Sequence, residues 1–230
     1  MPTPTGNEDI LGAVTSACNY CWDEDHGYRL SGNMNPDIDC SGLVWWSLHD
    51  NGFDMGSSRW DIGFDTYGMI AYLDSYPGFA HYTWQEGEEY PTLQHGDILV
   101  YREGGSGDDG HGHAYIYAEN VFGYTDLSSP YQNPNYPATT GICARARVEA
   151  LSAQGHYQSD GVTPIPHDQA NNVGAHNEVL VHASNSFFYG GHKWHIFRWG
   201  GTPPGPTPTS DMVSGIIAGM LLNKKRRGFN

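Results

Sequence analysis

Positive charge is scarce in this chain. Of its eleven Lys and Arg residues, four stand together at Lys224–Arg227, which leaves seven across residues 1–223 against twenty-six acidic side chains. A body so rich in carboxylates repels a phosphate backbone and excludes nucleic acid as a partner. A cationic or mixed-charge polymer suits it better, although acidity also serves plain solubility. Cysteine is scarce too: Cys18, Cys21, Cys40 and Cys143 are too few for a disulfide framework in 230 residues. Residues 1–20 lack a basic stretch followed by an apolar run, so no secretory signal is expected, and the thiols are expected to stay free in a reducing cytoplasm. Long apolar runs are missing as well. The short one in "DMVSGIIAGMLLNKKRRGFN" (211–230) is far below the roughly 20 residues that span a bilayer, so no transmembrane span is expected.

Aromatics and glycine are what the chain has in quantity: fifteen Tyr, seven Trp and thirty Gly, which point to a loop-rich domain rather than a helical bundle. "NEDILGAVTSACNY" reads as a first helix capped by Asn7, with Ile10, Leu11, Val14 and Ala17 on one face. A second helix begins near Cys40 and ends at "DNG", where Gly52 suits the left-handed position. A third covers "FDTYGMIAYLDSY", closed by Pro77 and Gly78. The period then changes to two. Strands are expected at 97–102, 113–118, 141–151, 178–184 and 193–199, and in the third Ile142, Ala144, Ala146 and Val148 share a face. Helices first and an antiparallel sheet second define an α+β domain over residues 1–200.

Residues 119–177 read as a long insertion with few regular elements, rich in Pro, Asn and Tyr. "GGTPPGPTPTS" is a semi-rigid proline-rich linker at about 201–210. Residues 211–230 join an apolar run to a basic cluster and read either as a docking peptide or interfacial helix, or as a disordered tail.

The stretch "DIDCSGLVWWSLHDNGF" (37–53) sets Cys40 among Asp39, Ser41 and Gly42 at a helix start. Unpaired amides and the positive end of the helix dipole favour a thiolate there, and the same amides can hold an oxyanion. A thiolate nucleophile needs a base. "DDGHGHAYIY" offers His111 and His113 on one face of a strand start, and His113 leads directly into the apolar strand. A third group must orient that base. His182 interrupts the apolar strand "EVLVHAS", and pairing with His113 would satisfy both imidazoles.

"DCSGLV", the pair "HGDILVYR" and "GHAYIY", and "VLVHAS" together resemble the NlpC-type papain-like cell-wall peptidases, most of all the bacteriophage peptidoglycan hydrolases among them. Tyr28 in "HGYRLSGNMNPDIDC" and the closing "FFYGGHKWHIFRW" fit the same likeness. The resemblance implies a papain-like fold in which Cys40 attacks a stem-peptide amide of bacterial peptidoglycan and no cofactor is needed. His113 would be base and acid, His182 its orienter, and Tyr28, Ser41 and Asp39 would lie on the substrate or oxyanion side. Tyr115 stands where a glycine is common in the family, which implies a narrower groove. A phage setting is implied as well, either an endolysin waiting in the host cytoplasm or a virion tail component held to other tail proteins by residues 211–230, the virion being preferred.

Two rivals stand beside this reading. His111-Gly112-His113 is an H-x-H pair of the kind zinc peptidases use, though zinc needs a third ligand and would leave Cys40 unexplained. Cys18-x-x-Cys21 lacks a second pair and reads as packing. The other rival is a non-catalytic phage tail protein that keeps the fold.

Overall fold

Asp9 starts the first helix. Its carboxylate accepts the Gly12 amide at 2.9 Å and its carbonyl accepts that of Ala13 at 2.9 Å. Asn7, the expected cap, lies outside the helix. These details come from a computed structural model that describes residues 2–22, 38–103, 112–125, 139–150, 179–189 and 191–200. Tyr28, His111, the proline-rich linker and the C-terminal peptide lie outside the described residues.

Helix α1 (Ile10–Trp22) buries Ala13, Val14, Ala17 and Cys21. Leu11, which spacing groups with that face, points to solvent because it sits a full step around the helix from the buried stripe. Helix α2 (Cys40–His49) begins at the expected residue, and Gly52 beyond its end takes φ 85°. There Asn7 comes so close that a Cβ would stand 2.4 Å from its carbonyl oxygen, so glycine is required twice over. Helix α3 (Thr66–Ser75) is capped by Asp65, whose carboxylate accepts the amides of Tyr67 and Gly68.

The sheet has six strands: β1 (Phe79–Trp84), β2 (Ile98–Arg102), β3 (Gly112–Tyr124), β4 (Thr140–Ala150), β5 (Val179–Ala183) and β6 (Trp194–Trp199). Their order is β1-β6-β2-β3-β4-β5, antiparallel apart from a single parallel bridge between Tyr124 and His182. The α+β architecture expected from the sequence is the architecture found, consistent with a papain-like fold. β1 was not expected. Its first four residues are all partly buried, so no apolar–polar alternation marks it.

The segment 119–177 is not devoid of regular structure. Glu119–Tyr124 complete β3, and the whole of β4 falls within the segment.

The alternation read along β4 holds only in its second half. Ala146 and Val148 are buried, whereas Ile142 is 65% exposed and Cys143 is buried instead. The change of face coincides with Asn120 on the partner strand, which sits at φ 55° between the register pairs Glu119↔Arg145 and Val121↔Cys143. Asparagine tolerates the left-handed region that most side chains avoid.

The sheet is apolar on both faces. One face, with Ile98, Val100, Ile116, Val148 and Val181, packs on the helices; the other, with Leu99, Tyr115, Tyr117, Trp194 and Ile196, closes over Phe187 and Phe188. Asp97 and Arg198 form a buried ion pair that ties the start of β2 to β6 (Nε–Oδ1 2.8 Å). Elements bearing a site are thereby held rigid on both sides.

Candidate active site

Cys40 is the first residue of α2 and is 7% exposed. Asp39 folds its carboxylate back over the helix end and accepts the Gly42 amide at 2.7 Å. That carboxylate also takes a two-pronged grip from Arg59, with Nη1–Oδ1 at 2.5 Å and Nη2–Oδ2 at 2.7 Å. Ser41 completes the knot, donating to Asp39 at 2.8 Å and accepting from Arg59 at 3.0 Å. The side chains of Asp39 and Ser41, expected on the substrate side, are therefore committed to fixing the helix start. What the helix offers a ligand is its backbone: the amides of Cys40 and Ser41 fall in the first turn, where position leaves them no intrahelical acceptor.

His113 is the second residue of β3, so the starts of α2 and β3 bring thiol and imidazole together. The imidazole is hydrogen-bonded by Cys40 and, through Nε2, by Glu149 Oε2 at 2.7 Å. Burial alone would pull its pKa down. The bonds to Cys40 and Glu149, reinforced by their charge, outweigh burial and raise it from 6.5 to about 9.

His182 does not meet His113. The direct pairing expected from sequence is replaced by a bridge: Glu149 Oε1 takes His182 Nε2 while its Oε2 takes His113. Glu149 is fully buried. Burial pushes its pKa up, but the bonds and charges of the two imidazoles hold it well below the usual carboxylate range. Sheet register explains the meeting, since Glu149 pairs with Tyr115, two residues from His113, and Arg147 pairs with His182. Diagonal neighbours on one face lie within reach of long side chains.

Sequence reading missed Glu149. One signal was available: a carboxylate on the buried half of a strand must have a partner, and the nearest candidates across the sheet are histidines.

Aromatic side chains wall the site. Tyr101 pairs with His113 in the register and stacks on His192 at 4.1 Å, while His192 Nδ1 meets Glu103 at 2.6 Å. Arg147 lies over Tyr189 at 4.8 Å and donates to the Ser186 carbonyl. Tyr115, expected to narrow the groove, is fully buried and donates its hydroxyl to the Phe187 carbonyl.

All four cysteines are free. Burial raises Cys18 to about 12, with the charge of Cys143 adding to it, and raises Cys143 as well. Cys21 is raised well above the ordinary thiol value by burial, then by the charges of Cys18 and Glu149. Among the described residues, no group of three His, Cys, Asp or Glu side chains is arranged to hold a metal ion. None of the described helices is long and apolar enough to cross a membrane.

A model of the NlpC/P60 family matches residues 25–131. That span contains Cys40 and His113 and stops before Glu149 and His182. No curated protein and no solved structure matches the chain. That match points to the hydrolase and peptidase chemistry of the cell wall typical of the NlpC/P60 family.

Proposed function

We propose that the protein is a cysteine hydrolase that cleaves an amide bond in the stem peptide of bacterial peptidoglycan. The carrying observation is that the thiol at the head of α2 shares the His113 imidazole with a buried carboxylate. In the resting pair His113 already holds the proton taken from Cys40, and the thiolate attacks the amide carbon. The resulting oxyanion faces the first-turn amides of α2. As the carbon–nitrogen bond breaks, the imidazolium gives its proton to the departing amine, leaving a thioester. Water then attacks the thioester with His113 as base, which frees the acid and restores the thiol. Glu149 fixes the ring and stabilises its charge. In this reading His182 supports Glu149 from the far side, and Tyr28 supplies a substrate-side hydroxyl.

A phage setting is part of the proposal, with carriage on the virion tail through residues 211–230 preferred over release from the host cytoplasm at lysis. Incubation of the purified protein with cell walls, followed by mass spectrometry of the released muropeptides, identifies the bond. Loss of release with iodoacetamide or Cys40→Ala supports the thiol route. Loss with a chelator while Cys40 is dispensable supports zinc through His111 and His113, and no release under any condition supports a structural role.

A further inference from the structure

Trp60 belongs to neither core. It is 47% exposed, and the guanidinium carbon of Arg59 lies 4.0 Å from the centre of its ring. One face of the indole is therefore covered by a buried cation and the other is open. The same guanidinium grips Asp39, the cap of the helix whose first residue is Cys40. An exposed aromatic surface is thus anchored to the nucleophile's helix through a buried ion pair, rather than carried on a loose loop.

The turn that bears Trp60 runs straight into α3. The Gly63 amide bonds the Trp60 carbonyl at 3.2 Å and the Phe64 amide bonds the Arg59 carbonyl at 2.8 Å. Tyr67, on the first turn of α3, is a second half-exposed aromatic in this short unit. Scattered surface aromatics need no explanation, but an indole braced from behind by a buried guanidinium is a fixed platform.

We propose that Trp60 is a sugar-binding subsite that stacks a pyranose ring of the glycan strand, braced against the start of the helix that carries the nucleophile. The proposal rests on the reading that peptidoglycan is the substrate and adds which part of it is held. An indole with one open face matches the flat C–H face of a sugar, because its negative π-surface attracts polarised hydrogens. Attachment through Arg59 and Asp39 ties the indole to the start of the helix that carries Cys40. Substrates still joined to sugar are then preferred over free stem peptides.

The test has two arms on the full-length chain. In the first, Cys40→Ala protein is mixed with peptide-free glycan strands, and retention is compared with that of Cys40→Ala/Trp60→Leu. Leucine still covers the guanidinium but has no aromatic face. The expected result is binding weakened about tenfold by Trp60→Leu and restored by Trp60→Phe. Equal retention of all three proteins, or no retention of any, overturns the subsite. In the second arm, the ratio of kcat/KM on glycan-linked to sugar-free stem peptide falls about tenfold in Trp60→Leu and recovers in Trp60→Phe. An unchanged ratio overturns the subsite. Failure to hydrolyse either substrate refutes the hydrolase reading, and the binding arm then decides the subsite alone.

Discussion

Glu149 and His113 are 36 residues apart in the chain and 2.7 Å apart in space, joined across diagonal positions of neighbouring antiparallel strands. The contact gives the imidazole a fixed orientation and a counter-charge, so the acid–base properties of the site are set from β4.

Glu149→Gln keeps the shape of that side chain and removes its charge. Activity on cell walls is expected to fall about 10²-fold or more. The wild-type pH profile should decline on its alkaline side as pH passes about 9, where His113 loses its proton. In Glu149→Gln that limb moves to lower pH while the bond to Cys40 still raises the imidazole, and an unmoved limb would exclude Glu149 as a contributor to the raised value. Folding stability has the same sign. The contribution of His113, whose folded pKa is raised, is full below 6.5 and lost as pH rises through about 9. The contribution of Glu149, whose folded pKa is depressed, is present above the ordinary carboxylate range and lost only in strong acid. Urea denaturation across pH, with the variant as control, measures both.

Alkylation should single out Cys40. Cys18, Cys21 and Cys143 are kept protonated by burial, so the reactive anion is withheld at three of the four free thiols. Brief iodoacetamide treatment near neutral pH, with peptide mapping, is expected to modify residue 40 first and to abolish activity in step. Faster modification of any other cysteine would contradict its burial.

Arg59→Met tests the knot at the start of α2. Removing one partner leaves the Asp39 carboxylate buried without its counter-ion, at a cost on the order of 3–5 kcal/mol. Thermal unfolding should register this as a fall of about 2–4 °C per kcal/mol. A variant as stable as the wild type would show that the ion pair is not needed to hold the helix start.

Ile142→Asn and Cys143→Asn test the change of face opposite Asn120. Ile142 is largely exposed, so its replacement is expected to cost within about 0.5 kcal/mol. Cys143 is buried, and an amide there should cost about 2 kcal/mol or more. Unbroken alternation along β4 would reverse the ranking.

Local signals made most of the elements legible. Small polar residues before Leu43 and Val44 mark the start of α2, and short apolar runs buried on both faces mark β2 and the first half of β3. β1 was missed because it is half-buried on both sides. The reversal in β4 falls opposite Asn120, a left-handed residue in another strand, which no pattern within 140–150 reports. Cys40 and His113 were readable because each sits at an element start in a distinctive local setting. Glu149 was not, since its surroundings, "RARVEAL", look like an ordinary strand with one polar edge. Its importance appears only once register sets it between two histidines.

The strand nearest the C-terminus among those described, β6, lies inside the sheet between β1 and β2. During synthesis, a ribosome that has released residues 40 and 113 has not yet supplied the slat that locks the sheet, nor the carboxylate beneath the ring. The nascent chain therefore carries its sulfur without a fixed imidazole partner until β4 and β6 have emerged and taken their places in the sheet.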